Sequence, residues 1–263
     1  MDQAVSNSRE PGTLCFQCNI CGTNSLAQLH RLRREDVSCS TCGSTPRARA
    51  VIRVLSLGLF GKNLALTDFS TRRAIRGLGM TDWEGYANRL SGKFSYRNTY
   101  YHREPRLDIS ATEIAADFMA NDFIISSEVF EHVAPPVNRA FENVSKMLNP
   151  GGLFILTVPY GSNKETIEYF PDLYDFTIER RDETVALKNK TKEGTLQEFK
   201  NVVLHEGAGL TLEMRVFSED DLVQYLKDAG FHAIKVHSEP DFVHGIWWPY
   251  RYAFPISARK RPA

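Results

Sequence analysis

The sequence predicts an α/β fold: a doubly wound, mostly parallel sheet of seven strands, preceded by a small cysteine-bearing ribbon. Three observations carry this. From residue 63 onward short apolar segments alternate with helical ones, the order that gives parallel strands joined by right-handed crossovers. All five cysteines fall in the first 42 residues of a 263-residue chain. Strong punctuation separates the segments, as in Asn149-Pro150-Gly151-Gly152 between a helical stretch and an apolar one.

The cysteines come as two CxxCG units, Cys18 to Gly22 and Cys39 to Gly43, with 17 residues between the pairs. Each unit turns two thiolates toward one ion, and the glycine allows the tight turn after the second ligand. Cys18, Cys21, Cys39 and Cys42 are therefore expected to hold a tetrahedral Zn2+. With four thiolates no coordination position stays open, so its role is structural. Cys15 is out of register with the pairs and reads as a small buried hydrophobe. The ribbon is assigned to residues 1–45.

Thr45 and Pro46 open a linking helix over 46–62, with Thr as N-cap, Pro at the first helical position, and an end near Gly61. The main domain, 63–263, is read as a strand at 63–69, a helix at 70–78 stopped by Gly79, and extended segments at 80–83 and 99–109. Next come a strand at 123–127, a helix at 137–148 and a strand at 153–158. Ser218-Glu219-Asp220-Asp221 starts a capped helix that ends at Gly230, and strands are expected at 233–237 and 255–259. Between about 160 and 216 the residues turn polar and alternating, which predicts a hairpin-bearing insertion.

Positive and negative side chains balance at 32 each. No global field draws the chain to nucleic acid, which argues against it as a partner. Arg31, Arg33, Arg34, Arg47, Arg49, Arg53, Arg72, Arg73 and Arg76 crowd the first third. They read as solvated side chains, with a phosphate-facing patch as the rival. The polar opening and the lack of a bilayer-length apolar run predict a cytoplasmic protein without membrane contact.

The stretch DFIISSEVFEHV, 122–133, passes from a strand-like apolar run to Glu128, Glu131 and His132 within a few residues. Burying these is costly unless they are paired or the chain has reached an opening. In an open parallel sheet ligands bind beyond the carboxyl ends of the strands, which would explain them. A helix burying Val129, Phe130 and Val133 would explain the same pattern, and periodicity leaves both open.

FIISSEVFEHV followed by VSKMLNPGGLFILTVP resembles the second half of a class I S-adenosylmethionine-dependent methyltransferase of the type 11 group, over roughly residues 60 to 260. Members with a cysteine-rich ribbon in front of the domain suit Cys18 to Cys42. The resemblance implies S-adenosyl-L-methionine as cofactor. It places Asp68, Phe69 and Ser70 after the first strand, Asp82 after the second on the ribose hydroxyls, and Asp108 and Ile109 after the third beside the adenine. Ser127 and Glu128 come after the fourth, near the methionine. The departure is the first loop, Leu66 to Arg72, which has no glycine where the family has a glycine-rich turn. The implied reaction is methylation of a small-molecule or glycan-like acceptor at a hydroxyl. That needs a base, for which His132 is the first candidate and His205 the second, with Tyr160 orienting the acceptor. The aromatic tail Trp247, Trp248, Tyr250, Tyr252 and Phe254 offers an apolar wall or a core contact. Rival readings are RNA methylation through the arginine-rich ribbon and a non-catalytic binding protein on the same fold. A dinucleotide oxidoreductase lacks its G-x-G-x-x-G.

Overall fold

The computed structural model describes residues 12–181, 184–200, 202, 204–205 and 211–262. The ribbon begins with an antiparallel hairpin, β1 (Thr13–Gln17) and β2 (Asn24–Gln28). Helix α1 (Pro46–Phe60) begins and ends as its terminal signals dictate. The Thr45 hydroxyl accepts from the Ala48 amide at 3.2 Å, and Gly61 takes the left-handed φ of 65° that stops the helix. Then come β3 (Arg76–Met80), α2 (Glu84–Lys93), β4 (Ser95–Thr99), β5 (Asn121–Ser127), α3 (Asn138–Met147) and β6 (Leu148–Thr157). The insertion carries β7 (Tyr160–Gly161), β8 (Ile167–Glu168), β9 (Asp175–Arg181), β10 (Thr184–Lys190), β11 (Leu196–Lys200), β12 (Leu204–His205), β13 (Thr211–Leu212) and β14 (Arg215–Ser218). The chain closes with α4 (Glu219–Asp228), β15 (Phe231–Val236) and β16 (Ile256–Lys260).

The main sheet runs β15-β16-β6-β5-β3-β4, six strands rather than the seven expected. The pairs among β4, β3, β5 and β6 are parallel, and β16 and β15 add on antiparallel. The missing strand is the one expected at 99–109. It reduces to the end of β4 and one parallel bridge, Tyr100 to Arg106. His102, Arg103, Glu104 and Arg106 are all exposed there, and only the ends of the stretch, Thr99, Leu107 and Ile109, turn into the core.

The first parallel strand also differs from the expectation. Residues 63–69 form no strand: Leu66–Asp68 is a single 3-10 turn, and Leu66 and Phe69 are buried beside the helices. The first parallel strand is β3, RGLGM, where the sequence reads as the end of a helix and the start of a separate extended piece. Its glycines hide it, because glycine weakens a strand pattern. Packing requires them: a Cβ at Gly77 would overlap the Phe123 ring, and one at Gly79 would overlap the Tyr96 hydroxyl and the Asp82 carboxylate. The real crossover helix is α2, downstream of the expected one.

Strand alternation divides the core. Ile124, Phe154 and Leu156 face α3 and α4, in one cluster with Phe141, Val144, Leu222 and Leu226. Phe123, Ile125, Leu153 and Ile155 face α1 and α2. Phe16, Ile20 and Leu32 of the ribbon belong to that second cluster, so the ribbon is built into the sheet face. Cys15 is exposed, contrary to expectation, because it alternates along β1 with the buried Phe16. The arginines correct a further reading. Arg49 is fully buried, and the side chains of Arg34, Arg47 and Arg53 are 19%, 22% and 17% exposed. Each points into the protein to a carbonyl, hydroxyl or carboxylate instead of into water.

Strands β9, β10 and β11 form an antiparallel meander over a small cluster including Phe170, Leu173 and Leu187. The base of the insertion is tied down by Arg215, fully buried, which donates to Glu168 at 2.6 Å and to the carbonyls of Phe130 and Val133 at 2.9 and 2.6 Å. No described helix is long and apolar enough to cross a membrane.

Gly79→Ala should lower unfolding stability by about 2 kcal/mol in denaturant titration, as overpacking does. Adding Tyr96→Phe, which removes the hydroxyl in the way, should restore part of that loss.

Candidate active site

Strands β3, β5 and β6 end together, and two of them run into strained turns. Thr81, just after β3, and Glu128, just after β5, both adopt a left-handed φ of 57°. Such geometry costs a non-glycine residue about 1 kcal/mol or more, and it concentrates at functional sites. The Thr81 amide donates to the Thr99 carbonyl at 2.7 Å, locking the β3 turn to the end of β4.

The turn at Glu128 aims its carboxylate at the ribbon. Arg34 grips it with two donors, at 2.6 and 2.9 Å, and the Thr157 hydroxyl adds a third bond at 2.9 Å. Arg47 reaches the Ser127 hydroxyl, and Glu35 ties the two arginines together, accepting from Arg47 at 2.7 Å. Although burial opposes the charge, Arg34 holds Glu128 below the usual carboxylate range. A bidentate, charge-assisted pair fixes both partners in orientation. Neither Arg34 nor Arg47 is singled out by the sequence as a site residue. The crowding of arginines in the first third is the available signal.

Behind Glu128, the short turn Phe130–His132 carries the other two polar residues of the motif. His132 Nδ1 lies 3.0 Å from the Leu212 carbonyl. A carbonyl only accepts, so Nδ1 carries a proton directed at it. Glu131 is 2% exposed, and burial together with the Glu128 charge drives its carboxyl well above the ordinary range. The Met214 amide and Arg215 bind the backbone carbonyls of this turn. The insertion thus sets the position of His132.

The remaining expected residues separate into three groups. Asp68, Phe69 and Ser70 lie at the opposite, amino end of the parallel strands. The Thr67 carbonyl accepts from Lys93, the last residue of α2, and Phe69 packs on Phe60 at 4.9 Å. The expectation for them rests on a first strand at 63–69, which does not form. Asp82 comes after the first parallel strand, not the second. It is 3% exposed, and its two oxygens accept from Tyr86 at 2.7 Å and from Tyr96. Buried so, its carboxyl is pushed up to about 7. It stiffens the β3 turn from inside, with each oxygen engaged by a tyrosine. Asp108 and Ile109 lie between β4 and β5: Asp108 Oδ1 takes the Ser110 amide and hydroxyl at 2.9 and 2.6 Å, and Asn143 of α3 holds the Ile109 carbonyl at 2.9 Å. Tyr160 is buried, with its hydroxyl accepting from the Phe254 amide at 3.1 Å, so it anchors the aromatic tail. The backbone of His205 pairs with Thr211, while its side chain lies outside the described residues.

In the ribbon, the ligand atoms of Cys18, Cys21, Cys39 and Cys42 all lie within 4.8 Å of one another. Two sulfur pairs stand at 3.6 and 3.7 Å. A regular tetrahedron of thiolates around zinc at about 2.3 Å has edges of about 3.8 Å, so the set fits that ion. Beside it Arg49 donates to Ser44 at 2.8 and 3.0 Å and to the Gly245 carbonyl at 2.7 Å, and covers the Phe16 ring. Its charge opposes that of the thiolates.

Asp82 yields a pH dependence. Its folded value, about 7, is above the ordinary 3.8, so the folded state holds the proton more tightly. Stability from this group is full below about pH 4 and is lost as pH rises through 7. Wild type should therefore lose about 2 kcal/mol between pH 5 and 8 relative to Asp82→Asn, measured by denaturant unfolding at each pH.

A family model described as methyltransferase domain matches residues 93–236, more than half of the chain. No curated protein sequence matches. Among solved structures, an S-adenosylmethionine-dependent methyltransferase from Clostridium acetobutylicum ATCC 824 is 14% identical, with a TM-score of 0.42 over 81% of this chain and 98% of its own. CalS10, an amino pentose methyltransferase from Micromonospora echinaspora, is 13% identical, with a TM-score of 0.42 over 81% and 90%. KedS8, a sugar N-methyltransferase from Streptoalloteichus sp ATCC 53650, is 11% identical, with a TM-score of 0.45 over 81% and 86%. Likeness at this level concerns the fold alone. With its parallel sheet, its rim after β5 and the family match across both, the chain belongs to the methyltransferase domain family and is an S-adenosylmethionine-dependent methyltransferase.

Proposed function

We propose that the chain methylates a hydroxyl oxygen of a small-molecule or glycan-like acceptor at the carboxyl rim of β3, β4 and β5, with zinc in the ribbon as a structural ion. The observation that carries this reading is His132: it stands at the rim after β5, Nδ1–H directed at the Leu212 carbonyl, with Nε2 on the far side of the ring.

The residues present suit the cofactor. Asp108 Oδ2 has no partner among the described residues, which leaves an acceptor for a nucleoside donor group. Helix α2 begins at Trp83 without a capping side chain, so its first turn favours a carboxylate. Asp108, Ile109, the Thr81 turn, Ser127 and Glu128 would hold the group; Asp68, Phe69 and Ser70 are too far along the sheet, and Asp82 acts from beneath. When bound, the cofactor supplies an activated methyl on a sulfonium. The protein has to orient the acceptor and take up one proton. His132 Nε2 receives the hydroxyl proton while Nδ1 keeps its own on Leu212. Glu131, whose carboxyl burial holds well above the ordinary range, lies 3.8 Å from Nε2. Four of the ribbon and α1 arginines are spent on internal bonds, which supports a small acceptor over RNA.

His132→Asn, which keeps a donor toward Leu212, should lower kcat roughly 100-fold with S-adenosylhomocysteine affinity unchanged. The readout is S-adenosylhomocysteine release over a glycoside panel, and an unaltered kcat removes His132 from the reaction. Metal analysis should find zinc on the purified chain, and stripping it with chelator should lower Tm by roughly 10 °C or more. A chain that melts unchanged without metal would refute the structural ion.

A further inference from the structure

A cavity of about 310 Å3 lies between the turn after β2 and the tail after β15. One wall is aromatic. Tyr250 and Tyr252 stack at 5.4 Å with 20° between their rings, and both are largely exposed; Trp248 beside them stands edge-on to Phe254 at 5.8 Å. The opposite wall is charged, formed by Arg33, Arg34 and Asp36 of the ribbon.

Three facts bear on what fits. The Trp248 Nε1–H is buried and finds no acceptor among the described residues. That atom is closed off from the cavity, so Trp248 offers a guest its ring and not its donor. The side chains of Arg33 and Asp36 likewise have no partner among the described residues, one offering donors and the other acceptors. Arg34 is turned away: it pairs with Glu128 at the rim, and its Nε donates to the Ala253 carbonyl in the cavity wall at 3.1 Å. Glu35 also lines the cavity but is paired with Arg34 and Arg47, so the charges of Arg33 and Asp36 are the ones left facing it and they cancel, which favours a neutral guest. That guest needs an apolar face for the rings and hydroxyls for the guanidinium and the carboxylate. A pyranose ring has both, with its axial C–H groups on one face and its hydroxyls around the edge. The volume is at the small end of ligand sites and suits one ring.

We propose that this cavity binds one neutral pyranose unit of the acceptor, with Trp248 and Tyr252 against its C–H face and Arg33 and Asp36 on its hydroxyls. Arg34 joins the cavity to Glu128, so a ring seated there lies alongside the reaction rim. The proposal rests on the reading of the chain as a hydroxyl methyltransferase. It makes the ribbon a specificity wall.

The test is saturation-transfer NMR on the zinc-loaded full chain with the methyl α-glycosides of glucose, galactose, mannose and rhamnose. A methyl glucuronoside serves as the anionic arm and adenosine as the flat aromatic arm. At least one neutral glycoside should show transfer to the protons of its C–H face. Trp248→Leu and Tyr252→Ala, which take away the rings of the apolar wall, should each weaken its affinity about tenfold. Both variants should keep the Tm and the calorimetric S-adenosylhomocysteine affinity of wild type. Transfer to no neutral glycoside, preference for the glucuronoside or adenosine, or wild-type affinity in both variants would each overturn the proposal. Loss of S-adenosylhomocysteine binding in wild type would instead strike the underlying methyltransferase reading, while the glycoside result still decides the cavity.

Discussion

Four cysteine sulfurs drawn within 4.8 Å of one another are the constraint on which the rest of the molecule turns. Thiolates at that spacing repel strongly unless a cation sits among them. The knuckles that hold them fix the turn carrying Arg34 and the start of α1 carrying Arg47 and Arg49. Arg49 runs inward from the cysteine cluster to the Gly245 carbonyl. Arg34 and Arg47 run outward to Glu128 and Ser127. One small centre is thereby mechanically joined to both the reaction rim and the aromatic tail.

At that rim the backbone does what glycine does elsewhere. Thr81 and Glu128 occupy left-handed positions, and each is held there from outside, Thr81 by the Thr99 carbonyl and Glu128 by Arg34 and Thr157. Strain at a functional site persists only where surrounding contacts over-determine it. The buried Asp82, with tyrosines on both oxygens, supplies the same stiffness below the β3 turn. The insertion completes the enclosure by binding the carbonyls on either side of His132.

Much of this is legible in the sequence, and the failures have definite causes. The two CxxCG units, the Thr45-Pro46 helix start, the β5-to-β6 block and the Ser218 cap are readable because each rests on a local signal that tertiary packing does not override. Ser127, Glu128 and His132 come with that block and stand at and just after the end of β5, whereas Asp108 and Ile109 rest on the resemblance alone. Strand β3 is not readable. Gly77 and Gly79 answer to the Phe123 ring and to the Asp82–Tyr96 bond, partners far off in sequence, and locally they look like a helix stop and a turn. That single error carries Asp68, Phe69 and Ser70 into the wrong end of the sheet and shifts Asp82 by one strand. The arginines fail for a related reason: whether a guanidinium is solvated depends on what the ribbon packs against, and no window of sequence contains both.

Phe16, Ile20 and Leu32 share one apolar cluster with Val51, Leu55, Phe123 and Ile155. The first fifth of the chain is consequently not a detachable module. A gene fusion or recombination event that swapped it for another metal knuckle would have to supply matching shapes for a whole sheet face. Drift in the ribbon is thus tethered to drift in the sheet, and the two should diverge together as one inherited unit.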